Sequence, residues 1–153
     1  MKRLLFYILI TLAFISRAIN NSLYMKLIVL AHRSQGVKFH GKPEYIHQDA
    51  YLDPSGGLHI NNGVVISTKV IILTHDWSFL KRITTNRDVN INTNKSAYKE
   101  VVINRNSFIG AGAIILPGTN IGENCIIGAG AVVKGIIENG SIMIGNPAKK
   151  LNK

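Results

Sequence analysis

Residues 103–133 read INRNSFIGAGAIILPGTNIGENCIIGAGAVV. A branched aliphatic residue occupies every sixth position from Ile103 to Val133, and a small residue follows four positions after each of the first five. A helix repeats about every 3.6 residues and a strand about every two, so a period of six fits neither element. The segment is therefore a repeat in its own right. It predicts a parallel β-helix, in which three short strands of about six residues close one triangular coil.

In such a coil each branched side chain points inward and stacks on its equivalent one coil away. The small residues leave room at the inner corners, and glycine or asparagine at the turns tolerates a positive φ. The same spacing of six occurs earlier in the chain, at Ile60, Ile66 and Ile72. We therefore predict an all-β core that extends well beyond residues 103–133.

Charge is distributed unevenly along the chain. The net charge is +10, and no acidic residue precedes Glu44. This excess suits an anionic membrane surface or a polyanion, although ordinary solvated faces explain it equally well. Nucleic acid is the weaker choice, because no aromatic–basic binding module is visible. The basic residues before Glu44 are Lys2, Arg3, Arg17, Lys26, Arg33, Lys38 and Lys42.

The single cysteine, Cys125, excludes an internal disulfide framework. It occupies a small-residue position of the repeat, so we interpret it as a packing residue rather than a reactive thiol. Cysteine usage constrains the cellular compartment only weakly, and it favours the cytoplasm.

Residues 1–36 are predicted to form a separate helical segment. The apolar run Leu4–Ile15 is shorter than the roughly 20 residues that a membrane-spanning helix needs, and Arg17 spoils a signal-peptide cleavage site. A second helix is predicted over about Leu23–His32, ending near Gly36. The pair can lie in the membrane interface, form a re-entrant hairpin or cap the open end of the coil. Contact with the membrane surface is favoured, because both runs are apolar nearly all round.

The coil domain is predicted over residues 37–150, with a short tail at 151–153. After His75 the repeat stops, and residues 76–100 form a polar segment rich in asparagine and threonine. A long excursion inside a compact repeat is usually functional. We therefore predict one extended loop that arches over the surroundings of His75.

Several segments of the coil resemble a known family. IGAGAIILPGTNIG (109–122), IGAGAVVK (127–134) and GNPAK (145–149) are similar to the closing coils of hexapeptide-repeat acyltransferases. GGLHINNGVVIS (56–67), followed by LTHD (73–76), resembles the family's segment leading to its catalytic histidine. These motifs are specific to the superfamily but identify the substrate poorly.

The resemblance covers about residues 37–150 and is nearest to sugar O-acetyltransferases of surface-polysaccharide synthesis. It implies a left-handed parallel β-helix of hexapeptide repeats, in contrast to the usual right-handed crossover. It also implies a homotrimer with active sites between subunits. The implied activity is acetyl-CoA-dependent O-acetylation of a sugar hydroxyl of a surface polysaccharide or its precursor. From the single cysteine and the basic, apolar N-terminal segment we predict a cytoplasmic protein that is peripheral at the inner membrane face.

The catalytic histidine of the family falls on His75. An alcohol is a poor nucleophile until its proton is removed, and an imidazole is suited to that role near neutral pH, with a typical gain of about 10²–10⁴-fold. The resemblance implies direct transfer without a covalent enzyme intermediate. Asp76 is a candidate to orient the ring and is equally a solvated turn residue. Asp76 and Trp77 are the candidates for substrate binding.

Coenzyme A needs a narrow groove for its pantetheine arm and positive charge for its phosphates. Small residues on adjacent coils let the arm lie against backbone amides, and lysine serves phosphate as a point charge. Corner geometry explains the small residues as well, and a solvated tail explains the two terminal lysines. Gly135, which follows Lys134, departs from the family pattern. The candidate residues are Gly110, Ala111, Gly128, Ala129, Lys134, Lys149 and Lys150.

Other functions compete with O-acetylation. N-acetylation of an amino sugar uses the same base and the same acetyl-CoA. A non-catalytic, membrane-associated β-helical scaffold has the same repeat, but the long loop and His75 argue against it. A γ-type carbonic anhydrase needs three histidines on zinc, two of them close in sequence, and no histidine follows His75. We therefore predict no metal.

Overall fold

The computed structural model describes residues 1–78 and 97–152 of the chain. Most of the predicted loop 76–100 lies outside the described residues. The two helices come first and the strands follow, each only two to four residues long. In chain order the elements are α1 (Lys2–Arg17), α2 (Asn21–Gln35), β1 (Lys38–His40), β2 (Tyr45–Ile46), β3 (Tyr51–Leu52), β4 (Leu58–Asn61), β5 (Val65–Ile66), β6 (Ile71–Ile72), β7 (Val101–Ile103), β8 (Phe108–Ile109), β9 (Ile114–Ile115), β10 (Asn120–Ile121), β11 (Ile126–Ile127), β12 (Val132–Val133), β13 (Ile136–Ile137), β14 (Ile142–Ile144) and β15 (Lys149–Lys150).

The strands form the three sides of a triangular prism. One sheet has the order β1-β4-β7-β10-β13, the second β2-β5-β8-β11-β14-β15 and the third β3-β6-β9-β12. Neighbouring strands are parallel except for β15, which pairs antiparallel with β14. In these strand orders each strand up to β14 lies in a different sheet from the strand before it, as a coil of three strands requires. The predicted fold is confirmed: this is a left-handed parallel β-helix with an N-terminal helical segment.

The sixfold register of branched residues builds the core. Every member of the column from Ile103 to Val133 is at most 1% exposed. Ile60 pairs with Ile103 and Ile72 pairs with Ile115, so the column continues across the excursion as if the intervening residues were absent. Stacking of equivalent side chains removes apolar surface from water at roughly 25 cal/mol per Å². This column, rather than the loops, holds the prism together.

The first coil is longer than the regular coils that follow the excursion. Tyr51 pairs with Ile71, which lies 20 residues further along the chain, whereas Val102 pairs with Asn120, only 18 residues on. The additional length of the first coil coincides with the irregular steps and the Pro-Ser-Gly-Gly corner in the sequence.

The two helices close the N-terminal end of the prism. The Asn20 side chain accepts a hydrogen bond from the Leu23 N–H at 3.1 Å, and Gly36 ends α2 with φ at 114°, a conformation that glycine adopts readily. The Tyr24 hydroxyl donates to the Ile46 carbonyl at 2.8 Å. Tyr24 and Ile28 are fully buried, so α2 caps the coil. Among the described residues, no helix combines the length and hydropathy needed to cross a bilayer.

Candidate active site

The candidate site lies at the corner between the third sheet and the first. Leu52 of β3 pairs with Ile72 of β6, so the residues after these two strands meet on adjacent coils. The imidazole Nδ1 of His75 lies 2.7 Å from Asp53 Oδ2, and Ser55 Oγ lies 3.1 Å from the same nitrogen. Thus one coil provides the imidazole and the coil below it provides the carboxylate.

Asp53 is buried and is held by hydrogen bonds. Its Oδ2 accepts from the backbone N–H and the hydroxyl of Thr74, both at 2.8 Å, and its Oδ1 accepts from the Ser55 N–H at 3.0 Å. Burial alone raises the pKa of Asp53, but the hydrogen bonds from Ser55 and Thr74 outweigh it and hold the pKa well below its usual value. The carboxylate is therefore ionised at neutral pH.

An ionised carboxylate only accepts hydrogen bonds, so the nitrogen facing Asp53 is the protonated one. This assigns the proton of the neutral ring to Nδ1 and leaves a lone pair on Nε2. None of the described residues hydrogen-bonds Nε2 of His75, and the side chain is 28% exposed. The arrangement is that of a general base whose tautomer and orientation are fixed by a carboxylate.

Two aromatic rings flank the imidazole. The ring centroids of Trp77 and Tyr98 lie 6.2 Å and 6.1 Å from that of His75, and 5.6 Å from each other in an edge-to-face arrangement. Both side chains are exposed in part, Trp77 by 47% and Tyr98 by 36%. They provide apolar surface beside the imidazole.

The excursion enters and leaves the coil beside His75. His75 and Tyr98 form an antiparallel bridge, in which the Asp76 N–H donates to the Ala97 carbonyl at 2.7 Å and the Lys99 N–H donates to the Thr74 carbonyl at 2.8 Å. The two ends of the excursion are thus fixed next to the imidazole. The prediction that a loop arches over His75 concerns residues 79–96, which lie outside the described part.

Asp76 does not orient the imidazole. Its carboxylate accepts from the Ser78 N–H at 2.9 Å and the Ser78 hydroxyl at 2.6 Å. Of the two interpretations offered by the sequence, Asp76 is therefore the turn residue. These bonds hold the pKa of Asp76 below its usual value, and the positive charges of Lys134 and Lys99 add to the effect. Lys134 follows β12 at the same corner of the prism as His75, and its ammonium group is near enough to influence Asp76.

The small residues assigned to coenzyme A lie at a different corner. Gly110 and Gly128 follow β8 and β11, on the far edge of the third sheet from His75. A Cβ on Gly110 would come within 2.7 Å of the Ala129 nitrogen, and one on Gly128 within 2.9 Å of Ile144 Cγ2. Close stacking of the coils therefore requires glycine at position 110, where the contact is with backbone, whereas at position 128 the Ile144 side chain would have to shift. Ala129 is exposed and Ala111 is partly exposed.

The third sheet lies between this corner and the one that carries His75. Within one chain, Gly110, Ala111, Gly128 and Ala129 therefore lie at a different corner of the prism from the imidazole.

The two terminal lysines lie at the end of the second sheet. Lys149 pairs with Ile144, the residue that a side chain on Gly128 would touch, so the lysine strand and the glycine corner are neighbours. Lys150 Nζ lies 2.7 Å from Glu138 Oε2, which offsets its charge. No acidic partner of Lys149 is found within the described ranges, which makes Lys149 the better placed of the two for a phosphate.

Asp53 is the residue of the candidate site that the sequence did not reveal. It lies 22 residues before His75, which is close to one coil, so a search one coil upstream of the histidine would have found it. The irregular first coil hides this spacing, because the coils directly after the excursion repeat every 18 residues.

Comparison with known proteins agrees with this architecture. Residues 100–135 match the model of the bacterial transferase hexapeptide (six repeats). The chain has the fold of the hexapeptide-repeat acyltransferases. None of the curated proteins matches it significantly, but many solved structures do.

Three of these structures represent different chemistries. A hexapeptide-repeat acetyltransferase of Vibrio cholerae, complexed with acetyl coenzyme A, has a TM-score of 0.63 at 16% identity and covers 99% of this chain and 86% of its own. A maltose O-acetyltransferase of Clostridium difficile has a TM-score of 0.56 at 23% identity, with coverages of 84% and 75%. A mutant N-acyltransferase of Bacillus cereus, complexed with dTDP and coenzyme A, has a TM-score of 0.55 at 22% identity and covers 74% of this chain.

This chain spans only 64% of that N-acyltransferase and 52% of a soybean serine acetyltransferase. At these identities the likeness establishes the fold.

Proposed function

We propose that this chain transfers the acetyl group of acetyl-CoA to a hydroxyl group of a saccharide, with His75 as the general base. The observation that carries the proposal is the Asp53–His75 pair, an imidazole with its Nδ1 held by a buried carboxylate at 2.7 Å. Nε2 takes the hydroxyl proton as the oxygen attacks the thioester carbonyl carbon. The C–S bond then breaks, and the proton passes to the departing thiolate of coenzyme A. The base contributes about 10²–10⁴-fold.

A saccharide fits the surroundings of the imidazole. The exposed faces of Trp77 and Tyr98 offer an apolar wall to the C–H face of a sugar ring, which would direct a hydroxyl toward Nε2. Asp76, on the same segment, is available to accept a hydrogen bond from another hydroxyl. The maltose O-acetyltransferase among the similar structures acts on such an acceptor. By resemblance, the acceptor belongs to a surface polysaccharide or its precursor.

Coenzyme A would lie along the small residues Gly110, Ala111, Gly128 and Ala129, with its phosphates near Lys149 and Lys150. Lys134, the third candidate lysine, lies at the corner that carries His75. Similar structures hold acetyl coenzyme A or coenzyme A. Gly110 has a structural requirement of its own, because close stacking leaves no room there for a Cβ. The absence of side chains also leaves backbone exposed along the groove. Steric packing of the coils and binding of coenzyme A are therefore compatible roles for these positions.

The separation between the glycine corner and His75 supports a homotrimer with shared active sites. The outward faces of two sheets carry apolar side chains, including Tyr51 and Ile71 on the third sheet and Phe108 and Ile126 on the second. Such exposed apolar surfaces are typical of subunit contacts. In a closed ring of subunits, the imidazole of one copy faces the groove of the next.

Subunit mixing tests the shared site. His75→Ala removes the base, and Ala129→Trp blocks the groove at an exposed position. Each variant alone is expected to be inactive, whereas an equal mixture refolded together should regain about a quarter of wild-type activity, because that share of sites combines an intact base with an intact groove. Absence of any recovery, with mixed trimers verified by native mass spectrometry, contradicts a site between subunits.

The activity is tested with acetyl-CoA and matched panels of neutral saccharides and amino sugars. Thiol release reports turnover, and the mass of the product reports the acetyl group. Alkaline treatment removes O-acetyl esters and leaves N-acetyl amides. We expect an ester, loss of turnover in His75→Ala, and normal turnover in His40→Ala, whose histidine lies on β1. An alkali-stable product identifies the N-acetyltransferase, and turnover that survives His75→Ala overturns the base.

The basic N-terminal segment supports a peripheral location at the inner membrane face. The seven cations of residues 1–43 and the apolar outer surface of α1 suit a negatively charged bilayer surface. Such a location brings the site close to a membrane-attached saccharide precursor.

A further inference from the structure

The outer face of α1 is apolar and uncovered. Leu9 and Ala13 pack inward, whereas Tyr7 is 65% exposed and Phe14 60% exposed. A helix that packs on a soluble core normally turns its polar face outward. In contrast, α1 has apolar residues on both its inward and its outward face. The exposed large apolar residues of the helix are Leu4, Leu5, Tyr7, Ile8, Leu12, Phe14 and Ile15.

A groove lies between α2 and the turn that joins β1 to β2. Its volume is about 440 Å³. Val29, Leu30 and Pro43 form apolar walls, and Lys26, Arg33 and Lys42 bring three cations to it. Lys26, Leu30 and Arg33 recur at helical spacing along one exposed face of α2. The groove therefore combines cations and apolar surface in one place.

Its cations are not neutralised by the protein. No lining residue of the groove is acidic, and across residues 1–78 and 97–152 none of the three cations forms a salt bridge. The Arg33 guanidinium lies 5.8 Å from the Phe39 ring centroid, a contact that holds its charge beside the groove. An anion with an apolar attachment would satisfy both kinds of lining.

We propose that this groove binds the phosphate of an anionic phospholipid and fixes the helical hairpin on the bilayer, while the outer face of α1 enters the interface. This lipid-binding site adds detail to the peripheral membrane location proposed above, and it does not depend on the acetyl-transfer activity. Charge complementarity selects the lipid surface over a second copy of the chain, because two copies of an acid-free segment with seven cations repel each other.

Vesicle sedimentation tests the proposal. Wild-type protein should bind mixed phosphatidylcholine and phosphatidylglycerol vesicles and should not bind phosphatidylcholine alone. The double variant Lys26→Gln with Lys42→Gln should bind roughly 30-fold more weakly, since each lysine at an anionic surface contributes about 5-fold. The matched control is Lys69→Gln with Arg105→Gln, which removes the same charge from the coil and should bind like wild type. Ile8→Ser with Ile15→Ser should weaken binding without abolishing the charge dependence.

A soluble lipid locates the binding site. Short-chain phosphatidylglycerol should shift the backbone NMR signals of residues 26, 33 and 42, and short-chain phosphatidylcholine should not. The proposal is overturned if the groove variant binds vesicles like wild type, or if the coil control loses as much vesicle affinity as the groove variant. It is also overturned if inorganic phosphate shifts the same signals while the groove substitutions leave vesicle binding unchanged. The groove variant should retain acetyl transfer to a soluble acceptor, which keeps this test separate from that of the acyltransferase activity.

Discussion

Replacing Asp53 by asparagine isolates the role of the buried carboxylate. Asparagine keeps one acceptor oxygen for the Ser55 N–H, and its amide nitrogen replaces Oδ2. The amide then donates to Nδ1 of His75, and the Thr74 N–H loses its acceptor. The ring proton then moves to Nε2, which loses the lone pair that accepts the substrate proton. Since general-base assistance provides about 10²–10⁴-fold, we expect turnover to fall by that range. The KM for acetyl-CoA should stay the same, because Asp53 positions the base and is buried away from solvent.

The assay compares turnover of Asp53→Asn, His75→Ala and the double variant. Because the two residues act as one unit, the double variant should be no slower than His75→Ala alone. The ¹⁵N resonances of the imidazole report the tautomer without any acceptor, and they should show a proton on Nδ1 in the wild type and on Nε2 in Asp53→Asn. Turnover within a few-fold of wild type, or an unchanged tautomer, would refute the reasoning.

Three further predictions concern stability. Ile121→Asp places an unpaired charge in the core column at a cost of several kcal/mol and should abolish the cooperative melting transition, whereas Asn120→Asp, one residue away and exposed, should melt normally. Gly110→Ala should lower the free energy of unfolding by about 1–3 kcal/mol, because its Cβ meets the backbone of the next coil at 2.7 Å. Burial lowers the pKa of His32 to about 4, so as the pH falls the unfolded state binds a proton before the folded state does. Urea titrations should therefore show the free energy of unfolding fall by roughly 3 kcal/mol in all between about pH 6.5 and about pH 4. A free energy of unfolding that does not change with pH in the wild type, or the same pH dependence in His32→Leu, would contradict this.

The sequence predicted the prism because its core obeys a local rule. Each coil contacts only its neighbours, so a strict period of six in Ile and Val suffices to specify inward-facing positions. The helical segment could be predicted from local sequence as well, because Asn20 and Gly36 are recognisable capping residues at the two ends of α2. Both features depend on residues close together in the chain.

The partner of His75 could not be predicted in this way. Asp53 and His75 meet because two coils stack, and the number of residues between them depends on the length of an irregular coil. Asp76, adjacent in sequence, was the obvious candidate. In the structure Asp76 turns to Ser78, because a side chain that follows the corner residue is directed along the excursion rather than back onto the ring.

The departures from the repeat carry the chemistry of this chain. A β-helix tolerates an insertion at a corner because the rungs on either side still pair, as Ile60 and Ile103 do. The long first coil places Asp53 under His75, and the excursion that follows His75 brings Trp77 and Tyr98 beside the ring. The regular rungs from Ile103 onward hold the prism together and supply the glycine corner. Stability and specificity are thus separated along the chain, so variants of the loop residues should change the acceptor while leaving the column intact.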